Sequence, residues 1–201
     1  MKIIFLDVDG VLNHQQTSAR CGVFIGIDKH LVKNLRKIVD ATDAKIVLTS
    51  SWKSSWFRVN KEDQDRCANY LDQHLRDEGL FILDKTYDRH GSSARGDGIK
   101  QWLNRLSPNS IENFVILDDE VFDYRAEGLL PNLVQTSFYI DNGGLTENHV
   151  NFAIKILNEG PSASQPLPTG FVPCSKCLSF EDCEYKESRD GCSHGIYQEE
   201  E

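Results

Sequence analysis

The sequence predicts an α/β architecture built on a doubly wound parallel sheet, and two patterns carry that expectation. Strand-length apolar runs alternate with stretches of helical period, and crossovers of that length pass over a sheet face to join parallel neighbours. Three of the runs also end in polar residues: Asp7 and Asp9, Thr49 and Ser50, Asp118 and Asp119. In such sheets ligands bind beyond the carboxyl ends of the strands, so the three ends should meet in one place.

The first run, KIIFLDVD, is a continuous apolar strand that finishes in two carboxylates one residue apart. Like charges that close raise each other's pKa, and they are tolerable where a cation or a reacting group offsets the repulsion. A loop follows, from HQQTSARCG to Ile27. Asp28 then caps a helix whose Leu31, Leu35, Ile38 and Val39 fall on one face. AKIVLTSSW repeats the first plan, an apolar strand from Lys45 to Leu48 ending in hydroxyls. Residues 61–78 read as a helix, with Cys67, Tyr70, Leu71, His74 and Leu75 near one face and charges elsewhere. LFILDKTY reads as a short strand. Past the loop DRHGSSARG, Asp97 would cap a helix striped by Ile99, Trp102, Leu103 and Leu106. NFVILDDE is a third apolar strand ending in acids, and NLVQTSFY is a further strand. Thr146 would cap a last helix with Val150, Ala153, Ile154 and Leu157 turned inward.

A chain of 201 residues, 39% apolar and 26% charged, holds one full α/β domain and something small beside it. The net charge of −9 excludes a basic nucleic-acid groove over the whole molecule and leaves only local contact with a polyanion. The apolar run before Asp7 is too short for a signal-peptide core, and no run reaches the length of a membrane span. A cytoplasmic location is therefore expected. EGPSASQPLPTG has no apolar period and reads as a linker, which divides the chain into a domain at 1–158, a linker at 159–170 and a cysteine-rich tail at 171–201.

Of six cysteines, Cys21 and Cys67 stand isolated in the sequence, while Cys174, Cys177, Cys183 and Cys192 crowd into the tail. In reducing surroundings metal is the better reading of that cluster than disulfides. With His194 the tail offers five ligands for the four tetrahedral positions of Zn²⁺, and the four cysteines are the expected set, with an iron–sulfur cluster the weaker alternative. So polar a segment needs a metal to fold.

Read together, the motifs resemble those of the haloacid-dehalogenase (HAD) superfamily of phosphotransferases and phosphohydrolases. Asp7-Val8-Asp9-Gly10-Val11-Leu12-Asn13 matches the first motif, Thr49 with Ser50 the second and Asp118-Asp119 the fourth, over roughly residues 1–158. LTSSW, RGDGIKQWL, VILDDE and LVQT…GLT are most similar to the small HAD domains associated with nucleic-acid (RNA) end repair. The resemblance implies a Mg²⁺-dependent phosphatase on a Rossmann-like sheet with little or no cap. An open site of that kind accepts a nucleic-acid end, and a nucleotide or other phosphomonoester is the rival substrate.

The chemistry follows from the substrate as well. A phosphate monoester repels nucleophiles with its own negative oxygens, so a site needs a carboxylate nucleophile, a cation and a general acid. Asp7 would attack phosphorus and form an aspartyl-phosphate, and Asp9 would protonate the leaving oxygen and then deprotonate water. Asp7, the backbone carbonyl of Asp9 and a carboxylate of Asp118 or Asp119 would hold Mg²⁺, a hard ion suited to oxygen. Thr49 or Ser50, with the backbone amides of the turn at Asp9 and Gly10, would bind the phosphoryl group. Asp123 would support the metal from outside its ligands. Two residues compete for the basic third motif. Arg95, at the helix entrance where the family usually has lysine, is favoured over Lys100, one turn further in.

Other residues read more plainly. Asn13 and His14 are expected to be solvated loop residues, and Trp52 and Trp56 core or partial-core residues rather than platforms for a base. Lys53, Arg58, Lys61 and Arg66 alternate with acids and read as a solvated face. The contrasting function is a non-catalytic HAD-fold protein that recruits a macromolecular partner through a zinc-bearing tail.

Overall fold

Five parallel strands form one sheet in the computed structural model, which describes residues 1–87, 91, 94–107 and 109–161. In chain order the elements are β1 (Lys2–Leu6), a small antiparallel hairpin of β2 (Arg20–Cys21) and β3 (Phe24–Ile25), α1 (Lys29–Thr42) and β4 (Lys45–Leu48). They continue as α2 (Arg66–Asp77), β5 (Ile82–Lys85), α3 (Arg95–Asn104), β6 (Asn113–Asp118), β7 (Leu133–Gln135) and α4 (Glu147–Glu159). The strand order is β5-β4-β1-β6-β7. The chain thus winds outward from β1 on one side and from β6 on the other, and the switch point falls beside β1.

Alternation along the strands divides the core. Ile4 and Leu6 of β1, Ile46 and Leu48 of β4, and Val115 and Leu117 of β6 face α1, α2 and α4. Ile3, Phe5, Val47 and Ile116 face Ile99 and Trp102 of α3 together with Tyr124 and Leu129. A sheet covered on both faces explains why its strands read as unbroken apolar runs.

The helix ends show where side chains govern the fold. Asp28 caps α1 as expected, accepting from the His30 amide at 2.8 Å. Thr146 is the N-cap of α4, where His149 Nδ1 accepts from the Thr146 amide at 3.1 Å. The helix expected over 61–78 is shorter, because residues 61–63 form a separate 3₁₀ turn and Asp65 caps α2 through the Ala68 amide at 2.8 Å. Asp97 is not the cap of α3. The helix starts two residues earlier, and the Asp123 carboxylate, reaching across from beyond β6, accepts from the amides of Gly96 at 2.6 Å and Asp97 at 3.0 Å. Both oxygens of Asp123, the residue expected to support a metal, are thus engaged at the start of α3.

The strand expected at NLVQTSFY stops at Gln135. Beyond Thr136 the chain turns back over the root of the hairpin, where the Gln15 amide donates to Phe138 and that of Leu145 to Val11. Between β1 and α1 only the hairpin intervenes, and between β4 and α2 only 3₁₀ turns, so no cap domain is present among the described residues. None of their helices is long and apolar enough to cross a membrane. α4 runs to Glu159, one residue into the expected linker; the tail, with Cys174, Cys177, Cys183, Cys192 and His194, lies outside the described residues.

The borrowed cap on α3 is testable. Asp123→Ala strands two amides at a half-buried helix start and should lower stability by about 1–2 kcal/mol in urea unfolding. Asp123→Asn, which keeps an acceptor, should recover part of the loss.

Candidate active site

Each strand of the sheet delivers a polar residue to the same edge. Ladder bonds continue past the strand ends, from the Asp7 amide to Leu117 (2.9 Å), Thr49 to Leu6 (2.8 Å), Thr86 to Leu48 (3.0 Å) and Thr136 to Asp118 (3.0 Å). Asp7, Thr49, Thr86, Asp118 and Thr136 therefore form one row.

At the centre of the row Arg95, the first residue of α3, reaches between two buried acids. Its Nη1 lies 2.6 Å from Asp7 Oδ2 and 2.8 Å from Asp118 Oδ2. Burial alone would lower the guanidinium's pKa, but Asp118 and Asp7 together raise it. Arg95 remains a cation. Its flat face lies 4.1 Å from the centre of the Phe122 ring. Tyr124 Oη donates to Asp118 Oδ2 at 2.7 Å and the Glu120 amide to Oδ1 at 3.0 Å, while the Val8 amide donates to Asp7 Oδ1 at 2.7 Å.

Asp119 completes the acid cluster: it, Asp7 and Asp118 each offer an oxygen within 4.8 Å of the others. Among the described residues no cation pairs with the Asp119 carboxylate. Burial, then the charges of Asp118 and Asp7, push its pKa up to about 8, and burial followed by Asp7 raises Asp118 as well. A half-buried carboxylate without a counter-charge takes up a proton or a cation, and three hard oxygen donors suit Mg²⁺. Asp119 also dictates Gly10. A Cβ there would lie 2.3 Å from Asp119 Cγ, and Gly10 has φ +72°, so two independent constraints require glycine.

Asp9 is clamped from two sides. Its Oδ1 accepts from Asn13 Nδ2 at 2.8 Å and its Oδ2 from Trp52 Nε1 at 2.9 Å, while Asn13 Oδ1 accepts from the Gly10 amide at 3.0 Å. Asn13 is fully buried and not a solvated loop residue. Trp52 packs half-buried against the core as expected and also brackets Asp9 through its indole N–H, and Trp56 is core, with its indole N–H on Asp72 at 2.8 Å.

On the other side of β1, Thr49 and Ser50 are fully buried. Thr86 Oγ1 donates to Thr49 Oγ1 at 3.2 Å, and Ser50 Oγ accepts from the Trp52 amide, so Ser50 caps the 3₁₀ turn Ser51–Lys53. That turn carries Lys53, 7% exposed, whose Nζ reaches Thr86 Oγ1 at 2.9 Å. Lys53 is no part of a solvated face, and neither is Lys61, paired with Asp72 at 2.6 Å; Arg58 and Arg66 are exposed as expected. Thr86 and Thr136 are the members of the row that sequence reading missed, and Lys53 beside Thr86 was missed with them. Lys100 stands apart from the row, paired with Glu127 at 3.0 Å on the outer side of α3.

Residues 3–150 match the family described as the HAD domain in Swiss Army Knife RNA repair proteins. The chain belongs to this family. No curated protein and no solved structure matches it.

The acid cluster of this HAD domain makes a prediction for stability. Folded Asp118 and Asp119 keep protons that the unfolded chain has released above its ordinary carboxylate range, so folding binds protons and stability falls as pH rises through that window. His149, which burial lowers, acts only at the acid end. In EDTA the thermal midpoint should decline between about pH 6.5 and pH 8.5, and Mg²⁺ should reverse the decline by binding the ionised acids. A midpoint that is flat in EDTA and indifferent to Mg²⁺ would contradict the assignment.

Proposed function

We propose that this HAD domain is a Mg²⁺-dependent phosphomonoester hydrolase that acts on phosphorylated nucleic-acid ends through an aspartyl-phosphate. The observation that carries the reading is the Arg95 bridge between Asp7 and Asp118, with the unneutralised Asp119 beside it. The family's association with RNA repair and the absence of a cap domain among the described residues favour a large, phosphorylated substrate.

In this reading Asp7 attacks phosphorus, the bond to the leaving oxygen breaks, and Asp9 gives that oxygen its proton. Asp9 then takes a proton from water as the water oxygen attacks phosphorus, and the bond to Asp7 breaks to free inorganic phosphate. Arg95 neutralises charge on the phosphoryl oxygens and holds Asp7 in line. Thr49, held by Thr86, and the Asp9 amide hydrogen-bond those oxygens, while the Gly10 amide is held by Asn13 and Ser50 stabilises the turn behind them. Mg²⁺ bound by Asp7, the Asp9 carbonyl, and Asp119 or Asp118 would draw further charge from the transferring group and offset the repulsion among the acids. For the tail, Zn²⁺ held by Cys174, Cys177, Cys183 and Cys192, with His194 in reserve, rests on their spacing alone.

Phosphate release from 5′- and 3′-phosphorylated oligonucleotides and from an aryl phosphate, each with Mg²⁺, tests the reading. Asp7→Asn should abolish turnover while the fold survives, since the amide is nearly isosteric and a poor nucleophile. Arg95→Ala should lower kcat on the order of 10²-fold or more, and Lys100→Ala should change it little. Turnover undiminished in Asp7→Asn, or none in the parent protein on any of the three substrates, would overturn the proposal.

A further inference from the structure

The two cysteines that stand isolated in the sequence meet in the fold. Cys21 on β2 and Cys67 on α2, 46 positions apart, bring their sulfurs to 3.0 Å. Both are free thiols. We propose that they form a thiol pair which a low-molecular-weight disulfide converts to an intramolecular disulfide, clamping the β2–β3 hairpin to α2.

Four observations carry the proposal. First, the sulfurs need to close only from 3.0 Å to a bond of about 2.05 Å, a smaller step than ordinary side-chain motion supplies. Second, access is graded. Cys21 is 1% exposed and Cys67 is half-buried, so an external reagent meets Cys67 first and Cys21 stands behind it to resolve the mixed disulfide.

Third, the hairpin has little else to hold it there. Its base is pinned where the Asp28 amide donates to Leu12, yet its tip projects, with Val23 91% and Phe24 62% exposed. Against α2 it has a long bond of 3.3 Å from the Ile27 amide to Tyr70 Oη, with Gly26 leaving room for that hydroxyl. Fourth, the pair joins the two segments that grip Asp9. The chain enters the hairpin from Asn13, and Trp52 belongs to the segment that Trp56, Lys61 and Gln64 tie to Asp72 on α2. A bond between Cys21 and Cys67 closes residues 21–67, Trp52 among them, into a covalent ring. The chemistry of the pair does not depend on the catalytic reading.

The reaction balances as two exchanges. The Cys67 thiolate attacks one sulfur of the reagent, its S–S bond breaks and one thiolate leaves. The Cys21 thiolate then attacks the Cys67 sulfur, the mixed disulfide breaks and the second thiolate leaves. The two protons lost by the cysteines end on the two reagent thiols, so the protein is oxidised and the reagent reduced. Burial, then the Cys21 sulfur, pushes the Cys67 thiol up to about 11, so exchange is slow at neutral pH.

The test uses the full chain, incubated with oxidised glutathione at about pH 8.5 to raise the thiolate fraction, then blocked with a thiol-alkylating reagent and digested with trypsin without reduction. Residues 21–29 and 67–76 are the two peptides to follow, each beginning at its cysteine. A linked pair of these peptides, lighter by two hydrogens than their sum and split by dithiothreitol, is expected as the main product of both cysteines. Hydrogen exchange across residues 14–27 should slow on oxidation, and the thermal midpoint should rise by about 5 °C or more. Neither change should occur in Cys67→Ser. Recovery of both peptides alkylated, carrying glutathione, or joined to cysteines of the tail would overturn the pairing. A linked pair with unchanged exchange in residues 14–27 would overturn the clamp.

Discussion

Arg95 is the residue on which the rest of the site depends. Three buried or half-buried carboxylates gathered at one sheet edge would expel one another, and taking each from water costs several kcal/mol. One guanidinium between Asp7 and Asp118 offsets part of that and leaves the charge of Asp119 over. The same ion pair is structural. It fastens the first residue of α3, which covers one face of the sheet, to the ends of the two central strands, β1 and β6. Removing the cation would leave two buried acids facing each other, so the fold and the site share this contact.

The position of Arg95 is set in turn by the seven residues from Asp118, the last of β6, to Tyr124. Asp118 binds the guanidinium and, through Oδ1, accepts the Glu120 amide that starts the turn. Phe122, at the uncommon φ of +41°, lays its ring on the guanidinium, an attraction that offsets backbone strain. Asp123 caps α3, and Tyr124 returns a hydrogen bond to Asp118. Four acids in DDEVFDY would otherwise repel one another. Each of Asp118, Asp119 and Asp123 is instead assigned a separate task by what it faces.

These assignments explain what a reader of the sequence can and cannot see. The sheet and the acids at its edge were legible because apolar runs that stop at charges survive in one dimension. The caps at Asp28 and Thr146 were legible too, since a cap is local. Asp123 was not, because it caps a helix lying more than twenty residues before it in the chain. Lys53 looked solvated because its burial depends on a 3₁₀ turn that carries no helical period, and Asn13 because its partners come from a folded-back turn. Cys21 and Cys67 shared no local pattern at all. Strands of two residues, as in the hairpin, have too few positions to alternate.

With no cap domain among the described residues to close over it, the site has to be rigid before a substrate arrives. The turn after β1 is held by three independent segments: Trp52, from beyond β4, takes one oxygen of Asp9; Thr136, from beyond β7, donates to the Gly10 carbonyl at 2.6 Å; and the Leu145 amide donates to Val11. Asn13 locks the turn from within. Every one of these contacts forms during folding, so orientation of Asp9 is settled before any phosphate is bound and little reorganisation is left for the reaction. Gly10 stands where the turn and the Asp119 side chain converge, and nothing larger than a hydrogen fits between them. Rigidity of that origin comes from within the sheet edge, from the segments that carry Asn13, Trp52, Thr136 and Leu145.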